Sequence, residues 1–236
     1  MVKRELRIEE LMRDFQHYVD YFYEDCPFSR EQYYLHKKVI EKIRQGEHRS
    51  LLSDDHFLEE VREVVSKWIE EWGKGELVDS ATFQDRIKTV VDKLQELVGF
   101  KLHELNDEKW EQMKPNIEEL FQRVWDLKLR EGADSQIVTV SKTLHHLLPD
   151  LIPPIDRKYT LSGFFGLSYI PKSDYIKTGE TKQFIKVMEG FRRIARDLRL
   201  TEKNSNVSGT RQFPNWLTTQ SWGTYGKRNL GGDEQP

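Results

Sequence analysis

The sequence predicts an all-α protein, with one globular domain of about seven or eight helices and an irregular C-terminal tail. Apolar residues recur every three or four positions along most of the chain, which is the spacing of a helix that buries one face. No run alternates apolar and polar residues for long enough to indicate a sheet. Aromatic residues make up 11% of the 236, which excludes a wholly disordered chain. We place the domain at residues 1–200 and the polar, aromatic-containing tail at residues 201–236.

Two helices are expected at the N-terminal end. The first covers residues 3–23. The second starts at Ser29, because Ser29 and Gln32 have the spacing of a capping box, and Gly46 ends it. The aromatic residues in the run 18–34 are interpreted as core or as a dimer interface rather than as a ligand cage.

The next two helices are marked by their caps and by apolar stripes. A third helix follows Ser53-Asp54-Asp55 and ends at Gly73, and a fourth starts near Asp79 or Ser80 and continues to Gly99. The stripes comprise Leu58, Val61, Val65, Trp68 and Trp72 in the third helix, and Phe83, Ile87, Val90, Leu94 and Leu97 in the fourth. We expect both stripes to face the core.

Three further helices are predicted in the C-terminal half. One runs from about Asn106 to Arg130 and either begins or kinks at Pro115, because proline cannot donate the backbone hydrogen bond of a helix interior. The most apolar helix spans about Ser135 to Leu148, and the prolines of the segment 149–154 impose an extended linker after it. The final helix covers about Thr181 to Leu198.

Charge and cysteine content exclude several classes of protein. With 37 basic and 40 acidic residues the net charge is -3, so the chain is not a uniformly basic nucleic-acid coat. A single cysteine, Cys26, can form neither an internal disulfide nor a cysteine-based zinc site. The charged N-terminus lacks the apolar core of a signal peptide, and no stretch has the ~18 apolar residues of a membrane span. We therefore expect a soluble cytoplasmic protein that does not bind membranes.

The most distinctive segment is SKTLHHLLPDLIPPIDRKYT, residues 141–160. It follows the pattern Lys-x6-Pro-x-Leu-x-Pro-x-x-Asp, with Lys142 and Asp156 at its two ends. The pattern, over about 20 of 236 residues, resembles a signature of uncharacterised bacterial helical proteins, which look like distant relatives of the helix-hairpin-helix DNA glycosylases. The resemblance implies a catalytic Asp156, a Schiff-base amine on Lys142, and a pocket that includes Arg157 and Lys158.

The same residues have structural alternatives. Lys142 lies about 160° around the helix from the apolar stripe, so its side chain is either solvated or at a second interface. Asp156 is suited to cap a helix that starts at Arg157. In the glycosylases a glycine-rich hairpin holds a DNA phosphate, whereas the corresponding residues 130–135 contain one glycine and make a poor phosphate cradle.

The adjacent residues His145 and His146 raise the question of a metal. They point about 100° apart on a regular helix and so cannot both face one ion, and no cysteine lies nearby. We expect one partly buried histidine bonded to the backbone and one exposed histidine. No phosphate-binding loop or dinucleotide motif is present, and no metal or cofactor is expected.

The C-terminal part is basic on an otherwise acidic chain. Residues 177–228 contain eleven Lys or Arg and four Asp or Glu, a balance of +7. Basic residues track phosphates and aromatic rings stack on bases, so this composition favours a DNA- or RNA-binding surface. Its candidate contacts are Arg192, Arg193, Arg196, Trp216 and Trp222.

Two functions follow from these patterns. The first is a nucleic-acid-associated helical protein, distantly similar to the DNA glycosylases, that binds DNA or RNA. The second is a non-catalytic protein–protein interaction module whose basic C-terminal part docks on an acidic partner. A solvated helix face explains the same charges, as does docking of the basic part on the chain's own helices or on a second subunit in a homodimer.

Overall fold

The computed structural model describes residues 30–70, 75–156, 160–161 and 177–197. This part of the chain contains eight α-helices, one 3₁₀ helix over Leu102–Glu104, and an isolated antiparallel bridge between Leu77 and Arg130. The α-helices are α1 (Arg30–Gln45), α2 (His48–Leu51), α3 (Asp55–Glu70), α4 (Ser80–Lys88), α5 (Val91–Leu97), α6 (Asp107–Asp126), α7 (Ile137–Leu147) and α8 (Lys177–Asp197). The all-α prediction is confirmed. The predicted helix over residues 3–23 and the predicted tail over residues 201–236 lie outside the described residues.

The first helices begin and end close to where their caps predict. α1 ends just before Gly46, whose N–H donates to the carbonyl of Lys42 (2.9 Å). The carboxylate of Asp54 accepts from the backbone N–H of Phe57 (2.6 Å) at the start of α3, as an N-cap does. Tyr33 and Tyr34 are 47% and 65% exposed, so of the two alternatives for the aromatic run the core does not apply to them. The part of the run before Arg30 lies outside the described residues.

The predicted fourth helix is two helices. α4 starts after Asp79, whose carboxylate accepts from the N–H of Thr82, and the helix stops at Lys88. The hydroxyl of Thr89 then donates back to the carbonyl of Arg86, and Val90 departs from helical geometry before α5 begins. Hydroxyl-to-backbone bonds and β-branched residues both disfavour a continuous helix, which explains the break. The predicted apolar stripe of both helices is nevertheless buried.

α6 passes through its proline. Asn106 caps the helix by accepting from the N–H of Lys109 (2.8 Å), so the helix starts well before Pro115. Pro115 is exposed, so the carbonyl that loses its helical donor can be hydrated. The helix ends at Asp126 rather than near residue 130, and Lys128 takes a positive φ of 49°.

α7 is the central helix. It packs against α1, α3, α6 and α8, and every residue from Thr139 to Pro149 is buried. The predicted linker after α7 has no regular secondary structure from residue 152 to 156, and its residues 151–155 are buried as well. α8 starts at Lys177, four residues before the predicted start.

Side chains from other helices cap both ends of α7. At its start, one carboxylate oxygen of Glu180 on α8 accepts from the backbone N–H of Gln136 (3.0 Å) and from the indole N–H of Trp125 (2.7 Å). At its end, Nε2 of His48 on α2 donates to the carbonyl of Leu147 (2.7 Å). The terminal backbone groups of a buried helix lack water, so these contacts satisfy groups that the helix itself leaves unpaired.

Candidate functional site

Lys142 is buried and caps the end of another helix. Its side chain is 6% exposed, and the ammonium donates to the carbonyl of Trp68 in the last turn of α3 (2.6 Å). The amide of Gln32 on α1 donates to the neighbouring carbonyl of Lys67 (3.0 Å). Carbonyls in a last turn have no helical donor, and the negative end of the helix dipole favours a cation. Of the two alternatives for Lys142, the second interface is correct and the solvated side chain is not.

The Pro-bracketed segment lies against a different face of α7. The hydroxyl of Ser141 accepts from the backbone N–H of Ile155 (3.0 Å), and Nδ1 of His145 donates to the carbonyl of Ile152 (2.8 Å). Ser141 and Lys142 are successive residues and point about 100° apart. The segment is therefore held to α7 from one side, while Lys142 reaches α3 from another.

Asp156 ends this buried segment and is half-buried. Its N–H donates to the hydroxyl of Thr160 (3.2 Å), and its carbonyl accepts from the N–H of Leu161 (2.9 Å). The Lys142 ammonium is directed to the carbonyl of Trp68 on α3, whereas Asp156 ends the segment that is bonded to Ser141 and His145 on another face of α7. The other two residues of the predicted pocket, Arg157 and Lys158, lie outside the described residues.

Three histidines and a tryptophan form a buried cluster beside Lys142. The rings of His36, His145 and His146 have centroids 5.1 to 5.6 Å apart, and the His36 and His146 rings lie 5.2 and 4.8 Å from that of Trp68. The expectation that one histidine of the adjacent pair is exposed is wrong, since His145 and His146 are both 0% exposed. α7 is covered on all sides, so a histidine at either position is buried.

The hydrogen bonds fix which ring nitrogens carry protons. A carbonyl only accepts, so His146 must donate through Nδ1 to the carbonyl of Lys142 (2.8 Å). Nε2 of the neutral ring is then an acceptor and receives the Nδ1–H of His36 (3.1 Å). His145 likewise uses Nδ1–H on Ile152, and among the described residues its buried Nε2 has no hydrogen-bond partner.

The surroundings keep all three rings neutral at neutral pH. Burial lowers the pKa of His145 to about 4. Burial also holds the pKa of His36 and of His146 well below the usual value, and the neighbouring histidines add to the effect. Among the described residues, no group of three or more His, Cys, Asp or Glu side chains has an arrangement that could hold a metal ion. The cluster is thus an internal aromatic junction of three helices.

On α8, Arg192 points inward. It is 7% exposed, and Nη1 donates to the carbonyl of Leu105 (3.0 Å) and to the carboxylate of Asp107 (2.9 Å), while the guanidinium lies 5.4 Å from the centre of the Trp110 ring. Arg196 binds the same oxygen of Asp107 (2.9 Å). These two arginines lower the pKa of the Asp107 carboxyl. This part of the basic region therefore docks on the acidic body of its own chain.

The opposite face of α8 is exposed and mainly basic. Lys182, Lys186 and Arg193 lie within about 40° of one another around the helix, with Arg196 next to them and Glu189 as the acidic residue among them. Neither Lys182 nor Lys186 makes a hydrogen bond or an ion pair in the described part of the chain. We call Lys182, Lys186 and Arg193 the basic face; Arg196 borders it and is paired with Asp107. Trp216 and Trp222, the proposed stacking residues, lie outside the described residues.

Sequence reasoning missed His36 and Trp68 as neighbours of the histidine pair. His36 is 110 residues away from His146 in the chain, and Trp68 is placed in the third helix only as an apolar residue. The available signal was the amphipathic spacing of α1, which puts His36 on the same side as the buried residues Leu35, Val39 and Ile40. A polar residue on an apolar face predicts a buried contact but does not say with what.

In the helices of the described residues there is no stretch long and apolar enough to cross a membrane. The chain matches no protein-family model, no curated protein and no solved structure.

Proposed function

We propose that this chain is a nucleic-acid-associated helical protein that contacts the phosphate backbone through the basic face of α8. The observation that carries the proposal is the separation of the basic residues of α8 into two sets. Arg192 fixes the helix to the body through Leu105 and Asp107, and Lys182 and Lys186 project away from the body. A rigid helix with exposed lysines one turn apart suits the regular spacing of phosphates.

The proposal does not extend to glycosylase chemistry. A Schiff-base lysine must bring its amine to the substrate, whereas the Lys142 ammonium is buried and bonded to the carbonyl of Trp68. A catalytic pair must also share one site, and the lysine faces α3 while the segment that ends at Asp156 packs on another face of α7. The proposed phosphate contacts on α8 are independent of the glycosylase resemblance, which is confined to the segment from Lys142 to Asp156.

The test is fluorescence anisotropy with labelled single-stranded DNA, duplex DNA and RNA at two salt concentrations. We expect binding that weakens steeply with salt, because neutralised phosphates release counterions. The double variant Lys182→Ala/Lys186→Ala should bind more weakly and lower the slope of log K against log salt by up to about 2 for duplex DNA, roughly 1 for each lost phosphate contact.

The matched control removes the same charge elsewhere. Lys37 on α1 and Arg49 on α2 are exposed, so Lys37→Ala/Arg49→Ala also removes two positive charges. Equal loss of binding in both variants would mean a nonspecific charge effect and not a surface on α8. Absence of binding to all three nucleic acids at low salt would refute the proposal.

An acidic protein surface is the second candidate, and one observation favours it. Carboxylates already bind α8, since Asp107 binds Arg192 and Arg196, and Asp126 binds Lys177 (2.8 Å). In the same anisotropy experiment a labelled acidic peptide replaces the nucleic acid. Tight binding of the peptide without binding of DNA or RNA would favour the interaction module.

A further inference from the structure

A chain of hydrogen bonds through two histidines connects α1 to α7. It runs from Nδ1–H of His36 to Nε2 of His146, and from Nδ1–H of His146 to the carbonyl of Lys142. The first bond depends on a lone pair on Nε2 of His146. If either ring takes up a proton to become a cation, that imidazolium has N–H groups on both nitrogens.

Protonation of His146 turns its acceptor nitrogen into a donor. Two N–H groups then face each other 3.1 Å apart, so the bond between α1 and α7 is lost. Protonation of His36 or His145 keeps their bonds but places a charge inside the cluster, where water cannot solvate it. Every one of the three rings is therefore incompatible with a proton in this packing.

The surrounding charges make a proton still less favourable. The cation Arg44 on α1 lowers the pKa of His36, and the cation Lys142 on α7 lowers the pKa of His146. α3 contributes the indole ring of Trp68, and the segment after α7 contributes the carbonyl of Ile152. His48 on α2 lies at the end of α7, where burial lowers its pKa, and the nearby carboxylate of Asp150 partly raises the pKa of His48 rather than those of the three clustered histidines.

We propose that the cluster of His36, His145 and His146 is an acid-sensitive latch that holds α1 against α3 and α7. Below neutral pH the rings take up protons, the bond from His36 to His146 breaks, and α1 separates from the other two helices. The separation uncovers the ring of Trp68 and the end of α3 that Gln32 caps. The latch is independent of the proposed nucleic-acid surface, which lies on α8.

The direction of the pH effect follows from the lowered pKa values of the three histidines. A histidine whose pKa is lower in the folded state binds more protons when it is released, so the closed state is fully stable above about pH 6.5 and loses stability as the pH falls. Each such histidine lowers the closing equilibrium constant by up to about tenfold per pH unit. Asp and Glu titrate mostly below about pH 5, so the range from 6.5 to 5 reports on histidine.

The experiment is hydrogen–deuterium exchange of the full chain at pH 7.5, 6.5, 5.5 and 5.0, read as protection factors corrected for the intrinsic pH dependence of exchange. We expect the protection of α1 amides to fall at least tenfold between pH 6.5 and 5, while the amides of α6 stay protected. If α1 stays as protected as α6 over this range, or if the two helices lose protection together, the latch is refuted.

Two variants sharpen the test. His36→Phe keeps a ring beside Trp68 but removes one titrating group and the bond to His146, so α1 should be less protected at pH 7.5 and its protection should fall less steeply with pH. His103→Gln changes a histidine outside the cluster and should leave the wild-type pH profile unchanged. An unchanged slope in His36→Phe would overturn the assignment to this ring. If that variant does not fold, the wild-type profile and His103→Gln still decide the proposal.

Discussion

α7 and α8 both carry the basic residues that the sequence singles out, but only α8 has a solvent face. α7 is enclosed by four other helices, and its lysine, hydroxyl groups and histidines are all buried. α8 is buried along one side and exposes basic side chains along the other. A polar residue on a helix is therefore a candidate for binding only if the face of the helix that carries it is exposed to solvent.

The two helices also differ in what their buried cations do. Lys142 of α7 satisfies a backbone carbonyl at the end of α3, whereas Arg192 of α8 joins a carbonyl and a carboxylate at the start of α6. Both contacts link elements that are distant in sequence. Both contacts hold helices together, whereas Lys182 and Lys186 on the exposed face of α8 make no hydrogen bond or ion pair within the described part of the chain.

The largest effect on stability is expected at Arg192. Arg192→Ala removes a buried side chain of large volume, leaves the carbonyl of Leu105 without its donor and takes a cation from Asp107. We expect a loss of about 3 kcal/mol in the free energy of unfolding. Urea unfolding followed by circular dichroism measures it. A loss comparable to that of an exposed lysine would show that Arg192 does not anchor α8.

Lys142→Met should be the next most destabilising change. Methionine fills much of the space of the lysine but cannot donate to the carbonyl of Trp68, so a buried acceptor loses its bond. We expect a loss of about 2 kcal/mol, measured in the same way. Unchanged or increased stability, with a selective loss of some activity, would instead mean that the buried ammonium is kept for a chemical role.

Ser141→Ala tests the attachment of the Pro-bracketed segment. The variant removes the hydroxyl that accepts from the N–H of Ile155, with almost no change in volume. We expect a loss of about 1 kcal/mol and no change in nucleic-acid affinity. The measurement pairs chemical unfolding with anisotropy. A fall in affinity at unchanged stability would place this segment in the binding surface.

The smallest effect on stability belongs to the basic face. Lys182→Ala/Lys186→Ala should change the free energy of unfolding by no more than about 0.5 kcal/mol, because both side chains are exposed and make no described contact. The same variant is expected to have the largest effect on nucleic-acid binding. A substantial loss of stability would mean that this face of α8 is covered within the protein.

The starts and ends of helices that bury a single apolar stripe could be predicted from the sequence. α3 and α6 begin at their capping residues, Asp54 and Asn106, and α1 ends before Gly46. These signals are local, because a cap or a stop acts within one turn. The break between α4 and α5 was missed, because the apolar stripe continues across it and only the backbone at Thr89 and Val90 changes.

The candidate site was less predictable because its contacts are not local. The wheel of α7 correctly places Lys142 off the main apolar stripe, but a second buried face looks the same as a solvated one on a wheel. His36 and Trp68 lie far from His145 and His146 in sequence, so no spacing rule links them. On α8 the wheel groups Arg192 with Arg196, although the first is buried and the second is exposed.

The all-α class, several helix starts and stops and the basic character of the C-terminal helix can all be predicted from the amino-acid sequence. These properties depend on residue periodicity, caps and charge, which are set by neighbours in the chain. Three features emerge from the packing of the helices. Lys142 caps α3, the rings of His36, His145 and His146 meet around Trp68, and Arg192 turns inward while Lys182 and Lys186 face the solvent. The reason is physical: burial and long-range hydrogen bonds depend on which helices pack together, and the periodicity of one helix carries no record of its neighbours.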